Sequence, residues 1–452
     1  MLDWAGSGAM ALTGHPEAAP VASPAPALAR LGQVTAEFAR VTGEIGKQVR
    51  ADPAELIAGR AALAGFTRGG QVSAGGSSFL LRSADGWCAV TLSRTDDVAA
   101  VPAIVGALGL DGASLDGAGL DGIATRAQAR AALAAVAQGA RAADLAAAAQ
   151  LLGVPAAALP AAPPRATGAE PAASAASWPP WRATRIAESA AGAGLAGAVV
   201  ADLSSMWAGP LCARLLGLAG AHVIKVESTS RPDGARSGNS EFFDWLHAGH
   251  RSLSADFGSA EGRAALAALL GAADVVIEAS RPRALAALGL SPDMAPHRPG
   301  QVWLSITGYG RSVPSRVAFG DDAAVAGGLV GWTSDGSSPE PVFCADAVAD
   351  PLAGACGALA VARSRSAGGG ELIDLSMRDV AAAFASARQD IEPDHGPHEI
   401  FPGGVVRCPR SGREQAVLPP RRPAPPAAGH AAELGADTGA VLAWLAGRPA
   451  AC

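Results

Sequence analysis

Few residues in this 452-residue sequence stand at spacings that do chemistry. Asp390, Glu392, Asp394, His395, His398 and Glu399 crowd one short stretch, with a proline between the histidines, and such donors suit a divalent metal. A solvated acidic loop explains the same residues more simply, and no metal is expected. Cys88, Cys212, Cys344, Cys356, Cys408 and Cys452 form no CxxC pair and no zinc or disulfide spacing, so they read as small buried apolar residues. Lys225 lies in a strand-like run beside Glu227, where a structural ion pair and a ligand group are both open. Asp350 precedes Pro351 at the head of an Ala-rich helical stretch, Leu352 to Arg363. Asp followed by Pro suits an N-cap and first helical residue, and the helix dipole would hold such a carboxylate ionised.

The elements that must position these groups fall into regions. Residues 1 to about 160 form an Ala-rich first unit, a Pro/Ala/Ser stretch (LPAAPPRATGAEPAASAASWPP) suits an extended linker, and a second unit runs from about Arg182 to Ala387. In the second unit VVADL (Val199 to Leu203), HVIKV (His222 to Val226), DVVI (Asp274 to Ile277) and VWLSI (Val302 to Ile306) read as strands. Helical segments at Leu211 to Leu218, Ala260 to Leu270 and Pro282 to Leu288 alternate with them. The fold class expected is α/β, a doubly wound parallel sheet of Rossmann-like form. Ligands in such sheets bind beyond the carboxyl ends of the strands, here Ser204 to Pro210, Ser228 to Arg236, Glu278 to Arg281 and Thr307 to Gly310. In the first unit, GWCAVTL (Gly86 to Leu92) reads as a strand and Ala127 to Leu151 as helical.

Composition narrows the function classes. Apolar residues make up 49% of the chain and charged residues 17%, which excludes a charge-driven disordered chain. The 35 basic and 41 acidic residues leave a net charge of -6, which argues against nucleic acid as partner. No apolar run approaches the ~18 residues of a membrane span, and MLDWAGSGAM lacks the pattern of a signal peptide, so no membrane partner and a cytoplasmic location are expected.

The segment VADLSSMWAGPLCARLLGLAGAHVIKVE (Val200 to Glu227) resembles the opening of the class III CoA-transferase family, which includes formyl-CoA transferases, carnitine CoA-transferases and 2-methylacyl-CoA racemases. HRSLSADF, ADVVIEASRPRALAALGL, LSITGYG and the block from Pro341 to Asp379 follow in the family's order, so the likeness covers roughly 195 to 388. Asp85 to Leu159 resembles the family's smaller domain, here placed before the large one. Gly8 to Val21 (GAMALTGHPEAAPV) resembles a worn copy of Gly328 to Val342 (GLVGWTSDGSSPEPV). The resemblance therefore implies a large-domain relic at 1–50, a small α+β domain at 51–160, a linker at 161–183, a large domain at 184–388, and a tail at 389–452 that returns to the large domain.

The resemblance also implies a chemistry. Asp350 matches the family's nucleophile, which attacks an acyl-CoA thioester to give a mixed anhydride and then an aspartyl-CoA thioester. Coenzyme A or acyl-CoA is then substrate, a carboxylic acid is the acceptor, no cofactor is tightly bound, and a homodimer is expected. The CoA contacts implied are Trp207, Ala208 and Gly209 after the first strand, Ala255 and Asp256 after HRSLS, and Ala279, Ser280 and Arg281 after DVVIE. Trp207 suits either stacking on adenine or packing under its loop, and Arg281 either a CoA phosphate or solvent. The sequence departs from the family at Ser228, Ala287 and Val317, where formyl-CoA transferases carry basic residues, and at Phe319, where the racemases carry a catalytic histidine. Two-base racemisation is disfavoured by that phenylalanine. The expected function is an acyl-CoA:carboxylate CoA-transferase, against a degenerate CoA-binding member without catalysis or a racemase- or dehydratase-related enzyme.

Overall fold

Apolar side chains alternate between the two faces of each central strand, and that alternation builds a sheet covered on both sides. The computed structural model describes residues 1–22, 26–109, 123–161, 178–279, 281–333, 338–386, 398–401 and 404–447. Seven strands run in the order Trp181–Arg185, Glu371–Ser376, Val302–Thr307, Val275–Glu278, Val199–Asp202, His222–Ser228 and Arg251–Ala255. All neighbours pair in parallel except Trp181–Arg185, an antiparallel edge. Val200, Ile277, Leu304 and Leu375 share one core with helices Ala208–Leu218 and Ala349–Ser366. Ala201, Val276 and Trp303 share the other with the leucines of Ala260–Ala272 and with Val441 of Thr438–Ala446. The chain is thus mixed α/β around a large, mainly parallel sheet.

Each strand and helix expected between 199 and 306 is present, with ends displaced by three residues or fewer. The helical stretch expected over 127–151 divides into Arg126–Ala137 and Ala142–Leu151. Thr125 caps the first of these, its hydroxyl accepting from the Gln128 N–H while the Gln128 side chain accepts from the Thr125 N–H. These helices cover a small antiparallel sheet, Ser78–Ser83, Gly86–Thr91 and Ala156–Ala158, and enclose a separate core from Phe79 to Ala156.

The small core begins later than the division at residue 51. Helix Ala27–Ile45 carries Leu31, Val34, Phe38 and Val41 on one stripe and Glu37, Arg40 and Glu44 on the opposite face. Its apolar stripe and Leu56, Ile57, Ala58 and Ala61 of Pro53–Ala64 all join the core of the large sheet. Amphipathic helices bury wherever a matching face exists, and here the matching face is Ala349–Ser366. In the tail, Val406 also joins that core, and Leu418 N–H donates to Ala5 C=O at 3.0 Å.

Helices Ala208–Leu218 and Ala349–Ser366 cross closely because residue 354 is glycine. A Cβ there would stand 2.7 Å from the Ala208 carbonyl and 3.0 Å from Leu211 Cβ. Gly354→Val should therefore lose about 1–3 kcal/mol of stability through overpacking. Urea denaturation reads this directly, and an unchanged midpoint would mean that the helices part freely.

Candidate active site

Backbone strain marks the N-terminal ends of two neighbouring helices. Among the described residues, positive φ in a non-glycine residue occurs at Met206 (72°), Ala345 (55°) and Ala347 (41°). The two alanines flank Asp346 in the turn that leads into Ala349–Ser366, and Met206 precedes Trp207, the N-cap of the neighbouring helix. Such conformations cost on the order of 1–3 kcal/mol each and persist only when surrounding bonds hold them. Ala345 N–H donates to Thr13 Oγ1 and Ala347 N–H to Asp321 Oδ1, each at 3.0 Å. The turn is thus pinned from two directions, by the N-terminal segment and by helix Gly320–Ala326.

Asp350 does not cap its helix, as its position before Pro351 suggested. The helix starts at Ala349 with Val348 at the cap, and Asp350 stands in the first turn. Its carboxylate lies against Gly320, where a Cβ would meet Asp350 Oδ2 at 2.2 Å and the Ala347 carbonyl at 2.3 Å. The Gly320 N–H donates to the carboxylate. Asp350 stays partly exposed on one side while dense packing strips water from the other, and that burial pushes its pKa up to about 7. The dipole expected to keep it ionised is outweighed.

Two further carboxylates share the corner. Asp346 accepts from Arg60 Nη1 at 2.9 Å and leaves its other oxygen without a partner, and burial lifts its pKa to about 6. Asp321 accepts from Ser78 Oγ at 2.9 Å besides the Ala347 N–H, and burial raises its pKa as well. Asp322, behind them, accepts from Phe319 N–H and Thr91 Oγ1, and burial takes its pKa to about 8. Arg60, from helix Pro53–Ala64, opposes these charges. Its guanidinium lies 5.1 Å from the Trp207 ring centre, 5.6 Å from Phe242 and 5.3 Å from Phe66.

The described residues among those expected around CoA lie at or after the carboxyl ends of the strands Val199–Asp202, Arg251–Ala255 and Val275–Glu278. Trp207 is 2% exposed, edge-on to Phe242 and under Arg60, so packing beneath the loop is the arrangement present and its ring offers no open face to adenine. Ala208 and Gly209 open the following helix, and a Cβ on Gly209 would strike the Ser204 side chain at 2.1 Å. Ala255 is half-buried, and Asp256 is exposed with Oδ1 accepting from Gly258 N–H at 2.9 Å. Ala279 is exposed, and Ser280 lies outside the described residues. Arg281 reaches across to the small domain, where its Nη2 and that of Arg94 both donate to the Gly153 carbonyl, at 3.4 and 3.0 Å. Burial lowers the pKa of Arg281, and the charges of Arg283, Arg94 and Arg231 add to that effect. Arg94 also sits 5.9 Å from the Phe319 ring centre, next to Gly320, so this basic cluster adjoins the Asp350 turn.

Sequence reasoning missed Arg60 and Asp321, whose partners lie far away along the chain, and Arg94, which pairs with Asp97 three residues on at 2.6 Å while also reaching Gly153. Asp321 and Asp322 did carry a signal, as adjacent acids ahead of an apolar helix. At the positions of departure, the Val317 backbone is clamped by the Gln150 amide at 2.8 and 2.9 Å, and Ser228 Oγ bonds Ser230 Oγ. Among the described residues no group of three or more His, Cys, Asp or Glu is placed to hold a metal. Of the acidic stretch, residues 390–395 fall outside the described chain, and Glu399 lies 3.8 Å from Arg407. Cys88, Cys212, Cys344, Cys356 and Cys408 are buried, as expected of apolar residues, and burial pushes the Cys88 thiol up to about 12.

Lys225 belongs to the scaffold. It is 2% exposed, pairs with Asp233 at 2.8 Å and donates to the Ser204 carbonyl, with Asp202 at 3.8 Å, while Glu227 pairs instead with Arg236 at 2.7 Å. Asp233 in turn accepts from Met206 N–H at 3.0 Å, so this ion pair fixes the strained loop ahead of Trp207.

Residues 195–400 match the profile of CoA-transferase family III. A probable CoA-transferase of Mycobacterium tuberculosis is 32% identical over 232 residues, covering 45% of this chain and 29% of that protein. The succinate–glutarate CoA-transferase of Agrobacterium fabrum is 31% identical over 242 residues, covering 46% and 60%. A crystal structure of a CaiB/BaiF family protein from Brucella suis is 29% identical over 43% of this chain and 55% of that one, with a TM-score of 0.37. The chain thus spans between 29% and 60% of the length of these two curated relatives.

Removing the buried Lys225 charge leaves Asp233 and Asp202 facing each other unpaired. Lys225→Met should cost about 3–5 kcal/mol, and a Lys225→Met/Asp233→Asn double variant should recover part of it. Chemical denaturation of both proteins is the check, and a single variant as stable as the wild type would refute the scaffold role.

Proposed function

We propose, from the match of residues 195–400 to the profile of CoA-transferase family III, that the chain moves CoA between carboxylic acids by way of Asp350. The reading rests above all on one observation: the carboxylate at the family's nucleophile position stands partly exposed directly after the strained turn that carries Asp346, close against a glycine. A carboxylate oxygen of Asp350 attacks the thioester carbonyl carbon, the carbon–sulfur bond breaks, and CoA leaves as thiolate from a mixed anhydride. The thiolate then attacks the Asp350 carbonyl carbon, expelling the donor acid as carboxylate and leaving an aspartyl-CoA thioester. The acceptor carboxylate attacks that thioester and releases the thiolate. Attack of the thiolate on the acceptor's acyl carbon yields the new acyl-CoA and restores the Asp350 carboxylate, with no net proton consumed.

In this reading Arg281, together with the arginines beside it, faces the phosphates of CoA, and Ala208, Gly209, Ala255, Asp256, Ala279 and Ser280 border the nucleotide. Trp207 supports their loop from below. The reading extends to a cytoplasmic homodimer. A second reading, a CoA-binding protein without turnover, draws on the uncharged Ser228, Ala287 and Val317 where formyl-CoA transferases carry basic residues. Calorimetry with CoA, run beside a transfer assay, separates the two.

Because the pKa of Asp350 is raised to about 7, its attacking form fills only as pH rises through that value. Adduct formation from an acyl-CoA, trapped with hydroxylamine and located by mass, should therefore increase roughly tenfold per pH unit below 7 and level off above it. Asp350→Asn should abolish the adduct; turnover that survives in this variant, or an Asp350 that stays unmodified in a transferring enzyme, would sink the mechanism. The same variant should be more stable than the wild type at pH 8. A carboxyl whose folded pKa exceeds its unfolded value loses stability as pH climbs between the two, and the amide has no charge to bury. Melting curves at pH 4 and pH 8 read that gain, which should vanish at the lower pH.

A further inference from the structure

Arg60 is the cation that the corner around Asp350 is built on, and it comes from outside the residues that match the family. Helix Pro53–Ala64 delivers it into the core of the large sheet, where Leu56, Ile57, Ala58 and Ala61 anchor the helix. The guanidinium is stacked among Phe66, Trp207 and Phe242 and bonded to Asp346 at 2.9 Å, so its position is set on several sides. Asp346 lies between the two left-handed alanines of the turn that leads to Asp350, and Asp321 binds that turn at the Ala347 N–H. The groups facing Asp350 are therefore Asp346 from its own turn, Asp321 and the Gly320 N–H from the short helix, and Arg60 from the N-terminal unit. Asp322 turns away to Thr91 and the Phe319 N–H. Two of the facing groups are acids and one is a cation.

We propose that Arg60 is a positioning residue for Asp350: it holds the negative charge of that carboxylate in a corner otherwise lined by acids, so that the N-terminal unit completes the site. The consequence for catalysis rests on the reading of Asp350 as nucleophile, but the physical claim stands without turnover. The charge of Arg60 favours ionisation of Asp321, Asp346 and Asp350 alike, against a burial that opposes all of them. Without it, like charges and lost water both act toward protonating Asp350. Its stacking on Trp207 gives a second effect, since the same guanidinium ties the turn to the loop that follows the first strand.

The test reads Asp350 directly. Full-length chain labelled with carboxyl-13C aspartate is titrated by NMR, the Asp350 resonance being assigned by its loss in Asp350→Asn. In Arg60→Gln the Asp350 midpoint should rise by about 1–3 pH units, and in Arg60→Lys, which keeps the charge, it should return most of the way. Asp346→Asn, which removes a facing negative charge and leaves Arg60 in place, should lower the midpoint, and it decides the matter if Arg60→Gln does not fold. A folded Arg60→Gln with an unmoved midpoint, an Arg60→Lys that moves as far as Arg60→Gln, or an Asp346→Asn midpoint that fails to fall would each overturn the proposal. Adduct formation with acyl-CoA is measured separately. Its absence in a wild type whose Asp350 responds to Arg60 as described counts against the transferase reading and leaves the role of Arg60 intact.

Discussion

A missing side chain at residue 320 governs the geometry of the candidate site. With only a hydrogen there, the Ala347 carbonyl and Asp350 Oδ2 come to 2.3 and 2.2 Å from where a Cβ would stand, closer than any side chain permits. That approach lets the Gly320 N–H reach Asp350 and lets its neighbour Asp321 reach the Ala347 N–H. The turn between them accepts left-handed alanines on both sides of Asp346 as a result. Such strain is offset by the packing of the next helix: Ala349–Ser366 is buried along nearly its whole length, and Gly354 allows it to seat against Ala208–Leu218. A helix so embedded has little freedom to let its first turn relax.

The corner also depends on the part of the chain that precedes the family-like segment. Thr13 pins the turn, Arg60 neutralises it, and Ser78 and Thr91 of the small sheet bond Asp321 and Asp322. Thr13 lies in the stretch that resembles Gly328 to Val342, and the two stretches touch in space. A Cβ on Gly331 would meet Thr13 Cγ2 at 2.9 Å and Val21 Cγ1 at 3.2 Å. The N-terminal segment thus packs against Gly331, and its Thr13 hydroxyl also holds the turn at Ala345.

Much of the large sheet was legible because its central strands are apolar on both faces and short, while the helices between them repeat at 3.6 residues. The edge strand Trp181–Arg185 gave no such signal: four of its five residues are exposed, so period and hydrophobicity are both absent. Asp350 could be singled out, but the Asp-Pro pair misled about the cap, since the helix begins before it. Lys225 does form a structural ion pair, though not with its strand neighbour Glu227, because Asp233 approaches from the loop beyond the strand. Arg60 was hidden twice over. Its partner Asp346 is 286 residues away, and in a chain where nearly every basic residue is arginine, one more arginine carries no signal.

The charge state of Asp350 shows how local rules yield to burial. A helix N-terminus stabilises a nearby anion by about 0.3–1 kcal/mol, and one pH unit of pKa corresponds to about 1.4 kcal/mol. The dipole can therefore lower the pKa of a carboxyl by less than one unit, whereas burial beside Asp321 and Asp346 carries that of Asp350 from the ordinary carboxylate range up to about 7. The favourable groups, Arg60 and the Gly320 N–H, reduce this rise without cancelling it. A carboxylate set near neutrality is easily neutralised and a stronger base when ionised, and a stronger base forms a new bond to an acyl carbon more readily than an ordinary, fully hydrated aspartate does. The same burial that makes the fold bear an ill-solvated acid is thus what raises the basicity of the Asp350 carboxylate.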